Sequence, residues 1–409
     1  MAVYKSASEE SVKKNPSSQL RSIGETLEIR CCRTITQIDV KSWDSLSGEN
    51  VLASHGWLRL IEESLVVPVS PYYLTANASD GIVGATVCYH MQANPLFGNL
   101  DHIVFGRFKS LAGVLGLSLM PALICGSLYG YGAHLLVSKE LTKEVRDLVM
   151  SRLISALESL GREHGLSLAF PGIMEEEAEV VHQLKRRGFH GAEEIPVCIL
   201  DLNFSDFEGY IGFIRSKRKK AANSIRREIK RSRRDGTRIR QLHELGGYGP
   251  GMHRMLNRQY RDYNGVPWMF DESFFGKAFA YLQEEVSFYI AERAERMTGC
   301  SVALQRGRTT YFLFLGIDRE VTGKDFTYFN LMYHRIEDAI SRGIRKVFFG
   351  RLKYEAKIRR GCHLERVFVF YKPKRALKSL FIRGWFPLLT HRNHHLVPEK
   401  YWHYWDPGK

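Results

Sequence analysis

Three runs of alternating apolar residues follow one another closely in the second half of the chain, and they limit the folds open to it. The runs span Val286–Ala294, Met297–Gln305 and Thr309–Gly316, with gaps short enough for hairpins. An amphipathic helix, Tyr328–Ser341, and another strand, Lys346–Phe349, come next. A doubly wound domain needs steady alternation of strands and helices, so this order excludes it. It predicts a mixed sheet covered by helices.

The first half of the chain repeats this order. A hairpin is predicted from Tyr72–Ala76 and Ile82–Gln92, and the amphipathic helix Glu144–His164 follows it. We assign strand Ile195–Leu202 to the end of the first unit and strand Arg366–Tyr371 to the end of the second. At 409 residues the chain is long enough for two domains of ordinary size.

The predicted fold class is therefore α/β with mixed (α+β) sheets, arranged as two similar domains. We expect four divisions of the chain, which are a mobile polar leader over 1–24, an N-terminal domain over 25–204, a C-terminal domain over 205–375 and an aromatic and basic tail over 376–409.

The net charge of +15 points to anionic partners. Such a surplus attracts RNA, nucleotide cofactors, acidic acyl carriers or an acidic membrane face. The seven cysteines form no C-x-x-C pair and no zinc-spaced set with histidine. We therefore predict reduced thiols in a cytoplasmic protein and no metal.

Two segments raise the question of membrane contact. The uncharged run Ser110–Val137 contains Pro121 and many glycines, so a buried helix–loop–strand segment is favoured over a membrane span. The tail Leu377–Trp405 mixes tryptophan, arginine and histidine, and packing on the domain is favoured over an anionic membrane surface. The predicted location is cytoplasmic, with peripheral contact at the inner face of the membrane as the alternative.

The basic run Ile214–Asp235 is the first candidate binding site, because Glu228 alone interrupts eleven Lys and Arg residues. On a single helix it would present a cationic stripe opposite a narrow apolar seam. Self-repulsion on such a face is costly without an anionic partner, so phosphate binding is favoured over a merely solvated face. No aromatic residues interleave the cations, which favours phosphate contact over base stacking. The predicted donor or phosphate contacts here are Lys217, Arg218, Lys220, Arg226 and Arg227.

The segment Phe348–Gly361 is the second candidate site, because a strand ends at Gly350 and charged residues crowd the turn after it. Glu355 is a candidate general base, or a group that orients an amine. Lys357 and Arg360 are candidate phosphate contacts, and Arg351 is a candidate substrate contact. A surface salt-bridge cluster is the alternative interpretation of the same residues.

The predicted helix that starts near Tyr328 supplies the third set of candidate site residues. Tyr333 and His334 are candidate catalytic groups that could relay protons, and Tyr328 and Asn330 are candidate substrate contacts. A structural hydrogen-bonding role is the alternative for each of them.

Several motifs occur in a recognisable order: the basic tract Ser216–Lys220 with Arg226–Glu228, Pro267-Trp268 before Phe274-Phe275, and the turn Gly350–Gly361. This order resembles the GNAT-superfamily proteins of the bacterial peptidoglycan-biosynthesis, or Fem-type, group over roughly residues 35–372. That group has S-R-K-R-K-x-x-R-R-E-R, a Pro-aromatic turn before a double-Phe helix, and G-x-x-x-E-H-K-x-x-R-G. This chain has a longer gap in the first motif, one extra residue in the last, and Ala356 where the group has histidine.

The resemblance implies tandem GNAT-like domains and transfer of an activated acyl or aminoacyl group to an amine, and it makes Trp268 a candidate substrate contact. The Gly-rich R/Q-x-x-G-x-G/A loop that binds CoA in acetyltransferases is not matched at Asp318–Asn330, where Gly323 stands alone.

We therefore predict no tightly bound cofactor, aminoacyl-tRNA as the donor, and a small-molecule or peptide amine (or a hydroxyl) as the acceptor. Acyl-CoA or an acyl-carrier protein is the alternative donor. A non-catalytic RNA- or membrane-binding protein on the same scaffold also stays open.

Overall fold

The computed structural model describes residues 26–67, 69–92, 100–322 and 326–405, so the predicted leader over 1–24 lies outside the described residues. The strands within these ranges are β1 (Glu28–Cys32), β2 (Ser70–Ala78), β3 (Gly81–Met91), β4 (Ala122–Cys125), β5 (Leu136–Val137), β6 (Ser167–Met174), β7 (His190–Glu193), β8 (Val197–Asp201), β9 (Arg238–Leu242), β10 (Val286–Arg293), β11 (Arg296–Arg306), β12 (Thr309–Ile317), β13 (Lys346–Gly350), β14 (His363–Glu365) and β15 (Val367–Lys372).

The helices within the same ranges are α1 (Val40–Ser47), α2 (His55–Ser64), α3 (Leu100–Phe105), α4 (Lys109–Val114), α5 (Lys143–Glu163), α6 (Ala178–Arg186), α7 (Phe207–Lys217), α8 (Lys219–Arg234), α9 (Tyr248–Asn264), α10 (Phe274–Leu282), α11 (Arg319–Thr322), α12 (Thr327–Ser341), α13 (Tyr354–Ile358) and α14 (Ala376–Leu396).

The strands form two mixed sheets with matching topology, which confirms the predicted fold class. The first sheet has the order β1-β2-β3-β4-β6-β15-β7, and the second has the order β9-β10-β11-β12-β13-β8-β14. In each sheet an antiparallel meander is followed by one parallel contact, β4 with β6 and β12 with β13. The largest core cluster contains inward side chains of both sheets, including Val87 and Ala169 from the first and Phe288 and Val302 from the second.

Each sheet takes one strand from the other half of the chain. β8 inserts between β13 and β14 of the second sheet, and β15 inserts between β6 and β7 of the first. The assignments of Ile195–Leu202 to the first unit and Arg366–Tyr371 to the second are therefore wrong. Apolar alternation predicts that a segment is a strand, but it carries no information about which sheet accepts it.

The basic run is two helices, where a single helix was expected. Arg218 has φ −146° and ψ 85°, so α7 ends at Lys217 and α8 begins at Lys219. Ile214 of α7 and Ile225 of α8, on either side of the break, both enter one core cluster. Lys217 therefore does not continue the cationic stripe of α8.

The uncharged segment Ser110–Val137 contains most of α4, the buried strand β4 and the short strand β5, as a helix–loop–strand arrangement requires, but its helical part is not buried, because Leu111 and Val114 are exposed. Within the part of the chain that the structure describes, no helix combines the length and the apolar character needed to cross a bilayer.

A buried ion pair fixes the loop between β4 and β5 against β6. His134 Nδ1 lies 3.3 Å from a Glu177 carboxylate oxygen, and its Nε2 donates to the Pro171 carbonyl at 2.7 Å. Both ring nitrogens face acceptors, so the ring is an imidazolium. Burial alone lowers the pKa of His134, but the Glu177 charge and the hydrogen bonds outweigh burial and raise it above 6.5. Burial raises the pKa of Glu177, and His134 outweighs it and holds that pKa below 4.5.

We expect this pair to limit the stability of the fold at both ends of the pH range. The contribution of Glu177 is present above 4.5 and is lost as the pH falls through its lowered pKa. The contribution of His134 is complete below 6.5 and is lost as the pH rises through its raised pKa. Urea unfolding followed from acid to alkaline pH should show this for the native chain, whereas the neutral variant H134Q should lose the alkaline dependence. An unchanged alkaline dependence in H134Q would contradict this assignment.

Candidate functional site

The basic helix α8 and the turn after Gly350 meet at one cleft of about 1060 Å³. The chain after α14 forms its third wall, although it is far away in sequence. The lining side chains are Arg218, Lys219, Lys220, Ala221, Ser224, Ile225, Arg227 and Glu228 from the basic run, Phe329 from α12, Lys353, Tyr354, Glu355, Ala356, Arg359 and Arg360 from the turn, and Leu396, Pro398, Tyr401 and Tyr404 from the C-terminal wall.

Three cationic side chains in this cleft have no partner among the described residues. Lys219, Lys220 and Arg227 are exposed, and their side chains make no hydrogen bond or ion pair within those ranges. Arg218, by contrast, donates to the Tyr404 carbonyl at 3.1 Å and lies 4.5 Å from the centre of the Tyr404 ring. The cleft therefore combines free positive charge with an aromatic wall, an arrangement that suits a phosphate-bearing ligand with a planar group.

The turn that leads into the cleft has a strained backbone. Gly350, Leu352 and Lys353 have φ angles of 68°, 64° and 53°. Only the glycine adopts this left-handed conformation at no steric cost, so Leu352 and Lys353 are held there by the surrounding fold. Strain of this kind concentrates at binding and catalytic sites, which makes the turn a candidate for contact with a ligand.

Two carboxylates line the cleft, and their environments differ. Glu355 is 54% exposed and pairs with Arg359 at 2.5 Å, one turn further along the chain. Burial, followed by the nearby Glu355 charge, raises the pKa of Tyr401. Glu228 is buried. Glu355 is therefore the carboxylate in this cleft that a ligand can reach.

Glu228 belongs to a buried cluster that joins α8 to the turn. Its Oε2 accepts from Arg360 Nη2 at 2.6 Å and also from the Tyr333 hydroxyl, and Arg360 Nε donates to the same hydroxyl at 2.6 Å. Burial alone lowers the pKa of Arg360, but Tyr333 and Glu228 hold it above its usual value. Burial raises the pKa of Tyr333. The Tyr333 hydroxyl and the Arg360 guanidinium are engaged in this cluster, and the roles predicted for Tyr333 in catalysis and for Arg360 in phosphate binding stay predictions.

Two further residues that were predicted to contact a ligand make hydrogen bonds to other parts of the fold. Lys357 is 5% exposed, and its Nζ donates to the carbonyls of Gly350 and Arg351, so it closes the turn and does not reach a phosphate. Burial lowers the pKa of its ammonium group. Arg351 Nη1 donates to the buried Glu194 carboxylate at 2.6 Å, and the substrate contact predicted for Arg351 stays a prediction.

Three other predicted contacts lie outside the lining of the cleft. The Asn330 side chain is buried and donates to main-chain carbonyls at Phe326 and Glu228. Trp268 is 1% exposed within an aromatic cluster that includes Phe274, so a substrate could not contact it without opening the core. Tyr328 is half-buried, and burial raises its pKa to about 12.

The remaining three predicted site residues also lie outside the lining of the cleft. His334 stands 3.9 Å from Glu337 on α12, and burial lowers its pKa. Lys217 is exposed at the end of α7, and Arg226 pairs with Glu208 at 2.5 Å. Of the predicted residues, the structure brings Arg218, Lys220, Arg227 and Glu355 together around the open cleft, with Arg360 in its wall.

Sequence reasoning missed the C-terminal wall. Tyr401 and Tyr404 reach the cleft because Trp405 Nε1 donates to the Cys362 carbonyl at 3.1 Å and anchors the end of the described chain. The aromatic residues of the tail were a signal, but nothing local in the sequence said which surface they cover. Lys219, Lys353 and Arg359 were also missed, although all three lie within the segments that were singled out.

The two sheets have matching topology and exchange one strand each, and a basic cleft lies at the end of one of them. These features define a tandem GNAT-fold protein. The chain belongs to the FemAB_like family, described as peptidoglycan biosynthesis/recognition, whose sequence model matches residues 34–375. The Fem-type resemblance predicted from the motifs is therefore confirmed.

Solved structures with similar folds include FemX and the L-PGS of Bacillus licheniformis. FemX gives a TM-score of 0.55 at 9% identity, with 86% of this chain and 100% of FemX covered. L-PGS gives a TM-score of 0.50 at 12% identity, with 87% of this chain and 98% of that chain covered. At such identities the similarity concerns the fold alone. No curated protein sequence matches this chain.

Proposed function

We propose that this protein is an acyltransferase that moves an aminoacyl group from aminoacyl-tRNA to an amine in the cleft beside α8. The observation that carries the proposal is the presence of the unpaired cations Lys219, Lys220 and Arg227 around one exposed carboxylate, Glu355. Membership of a family described by peptidoglycan biosynthesis or recognition supports it.

The cleft suits the acceptor end of an RNA better than a small anion. Unpaired lysine and arginine side chains on one wall match a phosphate backbone. Tyr401 and Tyr404 on the opposite wall offer rings on which bases can stack. The sequence alone had favoured phosphate contact without stacking, and the C-terminal wall supplies the aromatic groups that α8 lacks.

The reaction would need positioning more than strong acid–base chemistry, because an aminoacyl ester is already activated. The amine nitrogen forms a bond to the ester carbonyl carbon, and the bond from that carbon to the ribose oxygen breaks. One proton leaves the amine and one proton reaches the departing oxygen. Glu355 would accept the first proton or orient the amine, and Tyr401 lines the same cleft.

Transfer can be tested by intact-mass analysis of amine acceptors incubated with the full chain and one of three donors: charged tRNA, acyl-CoA or an acyl-carrier protein. We expect an aminoacyl mass increment with charged tRNA and none with the thioesters. Turnover should fall by about 10²-fold or more in E355Q if Glu355 is the base. Turnover with thioesters alone would favour the alternative donors, and no turnover with any donor would leave only a binding protein.

Donor binding gives a separate prediction with a matched pair of neighbours. R227A should weaken tRNA binding and lower the slope of log K against log salt by about 0.7–1, because one phosphate contact is lost. R226A should change neither quantity, because Arg226 pairs with Glu208 outside the cleft. Filter binding or fluorescence anisotropy over a salt series measures both. Equal effects of the two variants would show that the helix attracts RNA only by its overall charge.

A further inference from the structure

A second surface of the molecule differs from the cleft, because it is both apolar and basic. It is built from α14 and the α3–α4 segment, which pack side by side. The Phe105 ring lies 5.7 Å from the Trp385 ring and 6.3 Å from the Phe381 ring, centre to centre. Lys378 Nζ donates to the Ser118 carbonyl at 2.5 Å, which holds the two segments together.

Helix α14 is apolar on two sides. Its inner side buries Ile382, Phe386 and Leu389 in the core. Its outer side carries Leu377, Leu380, Gly384 and Leu388, which recur at the spacing of one helix face and are all exposed. Leu377 and Leu380 are 82% and 70% exposed. An apolar side of a helix ordinarily packs against other apolar groups, and within the described structure only the inner of the two apolar sides of α14 does so.

The α3–α4 segment also carries exposed apolar side chains. Leu111 and Val114 of α4, with Leu115 directly after it, are exposed, and Val114 reaches 85%. Single exposed leucines are normal in folded proteins, whereas adjacent groups of them mark an interaction surface. We call the six side chains Leu111, Val114, Leu115, Leu377, Leu380 and Leu388 the apolar–basic face, because of the charges described next.

The charges carried by α14 and by the two residues before it are positive. Between Glu365 and Glu399 the chain has no Asp or Glu, and Lys374, Arg375, Lys378, Arg383 and Arg392 lie on α14 or just before it, whereas Arg366 and Lys372 face Glu193 and Glu158 elsewhere. Between Asp101 and Glu140 there is again no carboxylate, and Arg107 and Lys109 flank α4. Two copies of this chain meeting through the face would bring like charges together. An anionic bilayer offers negative headgroups to the cations and an apolar interior to the leucines.

We propose that the apolar–basic face is a peripheral binding surface for a membrane that contains anionic phospholipid. Helix α14 lies in the plane of the headgroups, with Leu377, Leu380 and Leu388 inserted among the acyl chains. The same helix ends at Leu396 on the wall of the cleft, so a docked molecule holds the cleft beside the membrane surface. This binding does not depend on the proposed transfer reaction.

Co-sedimentation of the full chain with vesicles tests the proposal. Binding is expected to vesicles that contain roughly 30% phosphatidylglycerol in phosphatidylcholine and to be weak with phosphatidylcholine alone. The variant L377E/L380E should bind anionic vesicles at least about tenfold more weakly, because both the apolar insertion and the charge match are lost. These side chains are exposed, so circular dichroism and thermal unfolding should remain as in the native chain.

Two controls separate the possible causes. V40E/V66E introduces the same charges at exposed valines elsewhere, which are 50% and 47% exposed, and it should bind vesicles normally. R227A should lose RNA affinity but keep vesicle binding, so the proposed function and this proposal can fail independently. Native-like vesicle binding by L377E/L380E would overturn the proposal. So would a native dimer in light scattering that L377E/L380E dissociates, together with no binding to anionic vesicles.

Discussion

Replacing Glu228 with glutamine is expected to lower the free energy of unfolding by about 3–5 kcal/mol, a large part of the stability of an ordinary protein. The Glu228 carboxylate is buried and neutralises Arg360, which is itself 5% exposed. Glutamine fills the same space but leaves the guanidinium charge without a counterion in the interior. Removal of one partner of a buried pair costs far more than the pair contributes in total. Urea unfolding followed by circular dichroism measures the difference.

Glu355 provides the matched control, because E355Q makes the same chemical change in the same cleft. Its carboxylate is 54% exposed and its partner Arg359 is 59% exposed, so water and salt screen the pair. The free energy of unfolding of E355Q should therefore stay within about 0.5 kcal/mol of the native value. If E228Q and E355Q were equally stable, the buried cluster would not be what holds α8 to the turn.

Replacing Glu194 with alanine is expected to destabilise the fold by a similar amount, about 3–5 kcal/mol. Glu194 lies between β7 of the first sheet and β8 of the second. Its carboxylate accepts from the Gly172 amide at 2.8 Å and from Arg351 at 2.6 Å, and its side chain is 1% exposed. Burial alone lowers the pKa of Arg351, but the Glu194 charge holds it above its usual value. Alanine therefore leaves a buried amide and a largely buried charge without an acceptor.

The preceding residue is the control for this prediction. The Glu193 carboxylate stands 3.9 Å from Arg366, and burial raises its pKa, so its charged form gains little from its surroundings. E193A should cost less than about 1 kcal/mol in the same urea titration. A comparable loss in E193A would mean that any truncation between β7 and β8 weakens the fold, whatever its hydrogen bonds.

The sequence predicted the fold class because periodicity is local. Alternation in 286–316 and the helical pattern of α12 depend on neighbours along the chain, and the structure has both. The exchange of β8 and β15 could not be predicted in this way, since both strands alternate as any strand would. The break at Arg218 was also missed, because no glycine or proline marks it in the sequence.

The candidate site, like the fold, could be predicted only where the signal is local in the sequence. Charge density correctly indicated the segments that line the cleft, including Lys220, Arg227 and Glu355. It could not distinguish cations that face solvent from cations such as Arg360 and Arg351, whose carboxylate partners lie more than a hundred residues away in sequence. Glu228, the single acid within the basic run, was the available clue, because a carboxylate surrounded by arginines is a natural counterion for a buried arginine.

The interchange of β8 and β15 also constrains how a substrate is admitted. The chain passes between the two sheets through short links, residues 194–196 and Arg366, and side chains of both sheets share one core cluster, so neither sheet can swing as an independent body without pulling that cluster apart. We expect entry to depend on small movements of the C-terminal wall around Tyr401 and Tyr404, within a rigid frame. Ligand binding should therefore leave the overall dimensions in solution unchanged.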